Sequence, residues 1–335
     1  GVKAISTPLP RANVIIPVYE PNLKWLEAVL TDLNHQTERD FMVSFVDDGS
    51  SIPVAPDWIE ARLELPFTLR RFEGNMGITN ALNVALEKND AEFILRMDAD
   101  DRIHPERFKT QLRFMEQNQH VGVCGTGAVR FGQRRDRFDL VAHHDEILVH
   151  LLFANPFCHP TVCLRQSAIE GSQYPDEVPQ AEDYLFWSML ASRGVQFANI
   201  PDQLLAYRVS GANSSVTNKS KRSKRYRAIQ QAVFKNLFDD QIAEVLVAGF
   251  KNGLHAQLGM ASTPGSKWYS KRALLGYTDM IVETAKLRPE LFRNEALLTS
   301  TLKQQAHLAS SKIRVRTLKN YRRFFNTAEP NWFRP

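Results

Sequence analysis

The feature that most constrains this chain is a repeated order of apolar run, amphipathic helix and apolar run, with polar residues wherever a run stops. Asn13-Val14-Ile15-Ile16-Pro17-Val18-Tyr19 reads as a buried strand. Pro17 sits near its end, where a missing ladder donor does least harm. Asn22 then caps a helix that places Leu23, Leu26, Leu30 and Leu33 on one face. Phe41 to Val46 is the next strand, and it stops at Asp47-Asp48-Gly49-Ser50-Ser51. A strand–helix–strand connection makes the two strands parallel neighbours, so Tyr19 and the Asp47-Asp48 pair are expected on one sheet edge.

The pattern continues. Residues 52–66, with Pro53, Pro56 and Pro66, read as a connecting loop with a short helical piece, and a third strand near Thr68 to Phe72 leads into Glu73-Gly74-Asn75-Met76-Gly77. Ile78, Ala81, Leu82, Ala85 and Leu86 then recur at helical spacing. Glycines just before a helix leave backbone N–H groups open to a phosphate, although neither the dinucleotide signature nor a Walker loop is present. The apolar run Glu92 to Leu95 ends in Arg96-Met97-Asp98-Ala99-Asp100-Asp101. Carboxylates that close together raise each other's pKa unless a cation lies between them. Hard oxygen ligands suit magnesium or manganese, while an acidic turn before the helix opening at Pro105 is the plain alternative. Ligands of α/β folds sit where strands end, so the shared edge favours a metal–diphosphate site.

Beyond it, Phe108, Leu112 and Met115 mark the buried side of a helix, 121–124 and 128–131 read as strands, and a polar, Arg-rich loop runs through Arg137. Helix is expected at 144–153, a turn and strand across 155–164, helix at 184–193 and short strands at 195–200 and 204–207. From about Asn218 glycine and proline thin out and long periodic segments appear, such as 228–238, 242–250 and 271–285. The expected organisation is therefore an α/β domain over 1–217, a mixed sheet flanked by helices, and a helical basic extension over 218–335.

With 335 residues, 43% hydrophobic and 24% charged, the chain suits a large globular domain plus an extension. No run approaches the length of a membrane span, and the first residues lack the order of a secretory signal. Cys124, Cys158 and Cys163 show no zinc spacing, consistent with a reducing, cytoplasmic setting. Lys219 to Arg227 holds six basic residues in nine. That cluster and the basic, aromatic end at 314–325 suggest peripheral docking on the anionic inner face of a cell membrane. A solvated helix face or a homo-oligomer contact is the alternative, and no nucleic-acid partner is expected.

Taken together, Val14–Tyr19, Val46-Asp47-Asp48-Gly49-Ser50, Asn75-Met76-Gly77 with Asn83, Met97–Asp101, His159-Pro160-Thr161, Ala181-Glu182-Asp183-Tyr184 and Tyr207-Arg208 make the chain resemble the inverting family-2 glycosyltransferases of the GT-A fold. The likeness spans about residues 11–216. It implies a metal-dependent enzyme that moves a sugar from a nucleotide donor, UDP-hexose or UDP-N-acetylhexosamine, to a glycan or glycolipid acceptor in bacterial surface-polysaccharide synthesis. By this resemblance Pro17 and Tyr19 line the base pocket, and Asp48, with Asp47 as substitute, accepts from the base N–H. Asn75 and Gly77 shape the donor loop, Asp98 meets the ribose or sugar, and Asp100 binds Mn²⁺ or Mg²⁺. Asp183 is the general base, Glu182 and His159 orient the acceptor, and Asp101 is left as the approach to the next helix. Two departures stand out. Ser210 occupies the place of a metal-binding His in many relatives, so either the metal has fewer protein ligands or phosphate contacts fall to Arg208, Ser214 and Ser215. Leu82 replaces an Arg near Asn83.

Rival readings fit less well. A sugar-nucleotide pyrophosphorylase would carry a Gly-rich basic loop where Val18-Tyr19-Glu20-Pro21-Asn22 stands. A non-catalytic binding or membrane-docking module would not need Asp48, Asp98, Asp100 and Asp183 together.

Overall fold

The computed structural model describes residues 9–133, 135–138, 140–210, 219–251 and 271–310. The expected boundary at 217/218, Ser214, Ser215 and the basic, aromatic end at 314–325 lie outside these residues.

Ala12–Val18 (β1), Phe41–Asp47 (β2), Phe67–Arg71 (β3) and Phe93–Arg96 (β4) form a parallel half-sheet in the order β3-β2-β1-β4. Cys163–Arg165 (β7) pairs antiparallel with β4 and with Val121–Gly132 (β6). Gln196–Val209 (β8) runs parallel to β6, and Arg102–Ile103 (β5) closes the edge. The result is one mixed sheet of eight strands, flanked by helices. The short strands expected at 121–124 and 128–131 are one strand, as are those at 195–200 and 204–207. Bulges near Thr126–Ala128 let β6 and β8 bend without breaking.

Alternation along β1 divides the core between the two sheet faces. Val14, Ile16 and Val18 pack beneath Leu23–Asn34 (α1) and Arg107–Gln117 (α4), while Ile15 joins Ile78–Glu87 (α3), His144–Leu151 (α5) and Glu182–Ser192 (α7). Two short helices, Pro56–Glu60 (α2) and Gln166–Ile169 (α6), fill the connections. In α1 the Asn22 side chain accepts from the Lys24 and Trp25 N–H groups, as expected of a cap. Leu23, expected on the buried face, is exposed, and Val29 is buried with Leu26, Leu30 and Leu33 instead.

The inward face of α4 differs more from its apolar pattern. Besides Phe108, Leu112 and Met115 it buries Arg107 and Gln111 completely. These polar groups are satisfied within the core by hydrogen bonds to backbone carbonyls. Arg107 Nη2 donates to the Arg96 carbonyl at 2.9 Å, and Gln111 Nε2 donates to those of Cys124 and Thr161 at 3.0 and 2.8 Å.

The C-terminal helices Lys219–Leu237 (α8), Asp240–Lys251 (α9), Lys271–Ala285 (α10) and Glu295–Ser310 (α11) share the α7 side of the core. Val233, Phe234 and Leu237 join one buried cluster with Trp187 and Leu190. Gln230 donates to Tyr184 Oη at 3.0 Å and Asn236 to Ser188 Oγ at 2.9 Å. Among the described residues no helix is long and apolar enough to cross a membrane, and the three cysteines are buried and unpaired.

Candidate active site

The C-terminal ends of β1, β2 and β4 bring their polar residues to one edge, because the three strands are parallel and adjacent. At the β1–β2 end, Tyr19 is 54% exposed and Pro17 half-buried. Asp48 was expected at a base N–H, but its carboxylate accepts from the N–H groups of Met76 at 2.6 Å and Gly77 at 2.9 Å. It holds the loop that carries Asn75 and Gly77, and Gly77 opens α3 with φ +89°. Gly49 packs so tightly beneath this loop that a Cβ there would meet the Gly74 carbonyl carbon at 2.3 Å, at a φ of +76°. Asp47 accepts from the Ser50 N–H, while its other oxygen is buried without a hydrogen-bond partner.

At the end of β4, one carboxylate oxygen each from Asp98, Asp100 and Asp101 lies within 4.8 Å of the others. Burial, then the Asp98 charge, pushes the Asp100 pKa up to about 6, and Asp101 is raised well above the ordinary value by burial and by both neighbours. Three hard oxygen donors held against their own repulsion fit a divalent cation. Asp101 is no mere approach to a helix. It is fully buried, its Oδ1 accepts from the Arg208 N–H at 2.8 Å, and its Oδ2 has no hydrogen-bond partner.

Arg208, expected on the diphosphate, is committed to the acid turn. Its Nε donates to the Asp100 carbonyl at 2.7 Å, and its guanidinium lies 4.5 Å from the Trp25 ring centroid and 4.4 Å from that of Phe131. The residue that sequence reasoning passed over is Arg96. Its side chain is 2% exposed and forms an ion pair with Asp98 at 2.5 Å.

A cleft of about 780 Å³ opens from this turn, and Arg96, Asp98, Asn155, His159, Glu182 and Asp183 line it. Glu182 and Asp183 do not precede their helix but form its first turn, where acids meet the positive end of the helix dipole. Asp183 Oδ2 accepts from Asn155 Nδ2 at 2.6 Å, and Oδ1 accepts from the Tyr184 N–H at 2.8 Å. Burial raises the Asp183 pKa despite these two bonds and the nearby Arg96 charge. Glu182 is raised by burial and by Asp183, and its Oε2 is buried without a hydrogen-bond partner. Before the helix, Gln180 takes φ +60°, and its carbonyl accepts from Arg225 Nη2 at 2.7 Å. One member of the basic cluster thus braces the site rather than facing solvent alone.

The raised Asp100 pKa gives a stability prediction. The folded chain holds this proton more tightly than the unfolded chain, so protonation stabilises the fold. In EDTA, the Tm should rise as pH falls from above 7 through about 6 and on toward the ordinary carboxylate range. The Asp100 share is on the order of 2–3 kcal/mol. Asp100→Asn should remove that share, and parallel Tm–pH curves for the two proteins would count against the assignment.

Comparisons agree with this geometry. Residues 13–170 match the family model described as Glycosyl transferase family 2. The amylovoran biosynthesis glycosyltransferase AmsE of Erwinia amylovora is 31% identical over 214 residues, 62% of this chain and 78% of that protein. S. aureus TarS 1–349 in complex with UDP-GlcNAc has a TM-score of 0.56 at 19% identity, covering 97% of this chain and 99% of that one. The mannosyltransferase PcManGT from Pyrobaculum calidifontis, in complex with GDP-Man and Mn²⁺, has a TM-score of 0.51 at 20% identity, covering 91% and 88%. The family match begins inside β1 and ends just past α6, so it takes in the loops after β1, β2 and β3 and the acid turn. Extended by a relative that aligns over most of its own length, it makes this chain a member of glycosyl transferase family 2, a nucleotide-sugar transferase of the GT-A fold.

Proposed function

We propose that the protein is a metal-dependent, inverting transferase that moves a hexose or N-acetylhexosamine from a UDP-linked donor to a hydroxyl of a bacterial surface glycan or its lipid-linked precursor. The observation that carries this reading is the single cleft lined both by Asp98 of the acid turn and by Asp183 of α7. Pro17, Tyr19 and the loop through Asn75 and Gly77 form the base end, with Asp48 holding the loop and Asp47 bringing an unpaired acceptor. Asp100 and Asp98, with Asp101 beside them, would hold Mn²⁺ or Mg²⁺ together with the donor diphosphate. Bound there, the ion offsets charge growing on the leaving diphosphate.

The remaining chemistry belongs to the chain. Asp183 removes the acceptor hydroxyl proton, a task suited to a carboxylate whose pKa burial has raised toward the working pH. Asn155 donates to its Oδ2 and the Tyr184 N–H to its Oδ1, so each oxygen keeps one lone pair with which to receive the proton. One base and one displacement invert the anomeric centre without a covalent intermediate. The clustered carboxylates of Asp98, Asp100 and Asp101 would supply oxygen ligands in a site where Ser210 replaces the histidine.

Hydrolysis of a panel of sugar nucleotides, with Mn²⁺ and with EDTA, tests the reading directly. Asp100→Ala should abolish the Mn²⁺-dependent thermal shift given by UDP while leaving the metal-free Tm no lower. Turnover that EDTA leaves untouched would sink the metal-dependent mechanism.

A further inference from the structure

His159 is gripped more completely than an acceptor-orienting residue needs to be. It opens the 3-10 turn His159–Thr161 and is 9% exposed. That turn is fixed by Thr161, whose Oγ1 donates to the Cys158 carbonyl at 2.7 Å and accepts from the Thr126 N–H at 3.1 Å. Gln111 holds the Thr161 carbonyl from below. On the imidazole, Nε2 lies 3.1 Å from the Tyr174 hydroxyl and Nδ1 lies 3.9 Å from Asp183 Oδ2. Tyr174 is held in turn. Its N–H donates to Asn83 Oδ1 at 2.7 Å, its carbonyl accepts from Asn83 Nδ2 at 2.9 Å, and its ring stacks on Phe186 at 4.1 Å.

Each nitrogen therefore has one role open to it. Burial, with the Arg96 charge nearby, drives the His159 pKa well below its usual value, so the ring is neutral and carries one N–H. A lone pair on Nδ1 would face a carboxylate and be repelled, whereas an N–H there is attracted. Tyr174, whose own pKa burial raises, keeps its proton and is able to donate it. The hydrogen bond made by one nitrogen sets which nitrogen is protonated.

We propose that His159 is a positioning residue for Asp183, held by the Tyr174 hydroxyl as the Nδ1–H tautomer so that its proton is directed at Asp183 Oδ2. This rests on the reading of Asp183 as the base. At 3.9 Å the contact is longer than a hydrogen bond, and such catalytic contacts often tighten only when substrate is bound. Asn155 and His159 then converge on one oxygen, fixing the carboxylate's rotation and aiming Oδ1 at the acceptor. The charged groups that set the Asp183 titration are Glu182 beside it on α7 and Arg96 from β4, with His159, Asn155 and the Tyr184 N–H as neutral donors.

The test needs no turnover. NMR of ¹⁵N-histidine-labelled protein, with His159 assigned through His159→Gln, should show a protonated Nδ1 and an unprotonated Nε2. That state should persist from pH 8 to pH 5.5, and Tyr174→Phe should shift the ring toward the Nε2–H tautomer. Hydrolysis of UDP-GlcNAc and UDP-glucose with Mn²⁺ supplies a second readout. Tyr174→Phe should lower kcat roughly tenfold, a fraction of the about 10²–10⁴ that a positioned base supplies. It should also move the acid limb of the kcat–pH profile upward, with donor KM within about twofold. His159→Gln, whose amide N–H can still face Asp183, should retain more activity than His159→Phe. An Nε2–H tautomer or an imidazolium in the wild type would overturn the proposal, as would an unmoved acid limb in Tyr174→Phe. If the wild type turns over neither sugar nucleotide, the UDP-donor reading falls, while the tautomer still decides the His159 arrangement.

Discussion

Asp183→Asn should reduce turnover by about 10²–10⁴-fold, the range a positioned general base supplies, while donor affinity stays within a few-fold of wild type. The two effects should separate because the residues proposed for donor and base lie on different elements: Asp98 and Asp100 follow β4, whereas Asp183 sits in the first turn of α7. The substitution is also a mild one for the fold. Burial disfavours the Asp183 charge, so a neutral amide relieves that cost, while its single oxygen keeps only one of the two bonds from Asn155 and the Tyr184 N–H. These effects oppose each other, so the Tm should change little, and a Tm measurement separates unfolding from lost catalysis. In the wild type, the rate should fall on the acid side as Asp183 is protonated, at a pH above the ordinary carboxylate range. Isothermal titration with UDP and Mn²⁺, beside initial rates, makes the measurement. Survival of turnover with collapse of donor binding would move Asp183 out of the base role.

Arg96→Met should produce the largest loss of stability, about 3–5 kcal/mol, the usual cost of stripping one partner from a buried ion pair. Methionine approximates the length and apolar stem of arginine, so the change removes charge more than volume. What remains is Asp98 without its ion-pair partner, next to two buried or half-buried acids, with Glu182 and Asp183 also deprived of a nearby cation. The pH dependence carries the diagnosis. Without the guanidinium the already raised pKa values of Asp100, Asp101, Glu182 and Asp183 rise further, so these groups take up protons more readily and the deficit should shrink between pH 7.5 and pH 5.5. Mn²⁺ should restore part of the loss. A deficit equal at both pH values, and insensitive to metal, would mean that Arg96 acts through packing alone.

How the sequence relates to this site depends on the kind of signal each residue leaves. Asp98, Asp100 and Asp183 announce themselves because acids break an apolar pattern where strands end or helices begin. The succession of strands and helices through β4 was legible from apolar runs alternating with helical periodicity, whereas the order of the later strands in the sheet was not. Arg107 and Gln111 left no such mark. They sit at helical spacing among Phe108, Leu112 and Met115, and only the carbonyls they satisfy, on β4, β6 and the Thr161 turn, explain their burial. Asn155 reads as a turn residue beside Pro156, and its bond to Asp183 spans 28 positions. Asp48 shows the converse. Its place at the end of β2 was evident, but whether its oxygens face a ligand or the Met76 and Gly77 N–H groups depends on a loop closing from 28 or 29 residues away. Interactions between side chain and distant backbone have no period, so a pattern cannot foretell them.

The way α8 seats on α7 bears on how the protein can be handled. Val233, Phe234 and Leu237 share a buried cluster with Trp187 and Leu190, and Gln230 and Asn236 bond directly to Tyr184 and Ser188 on the helix whose first turn holds Asp183. A chain cut at residue 217 would keep every residue assigned to donor and acceptor, yet it would leave that apolar face open to water. Such a fragment should collect in inclusion bodies or bind hydrophobic dyes strongly. The shortest stretch that contains the chemistry is therefore shorter than the shortest stretch that can be purified with it.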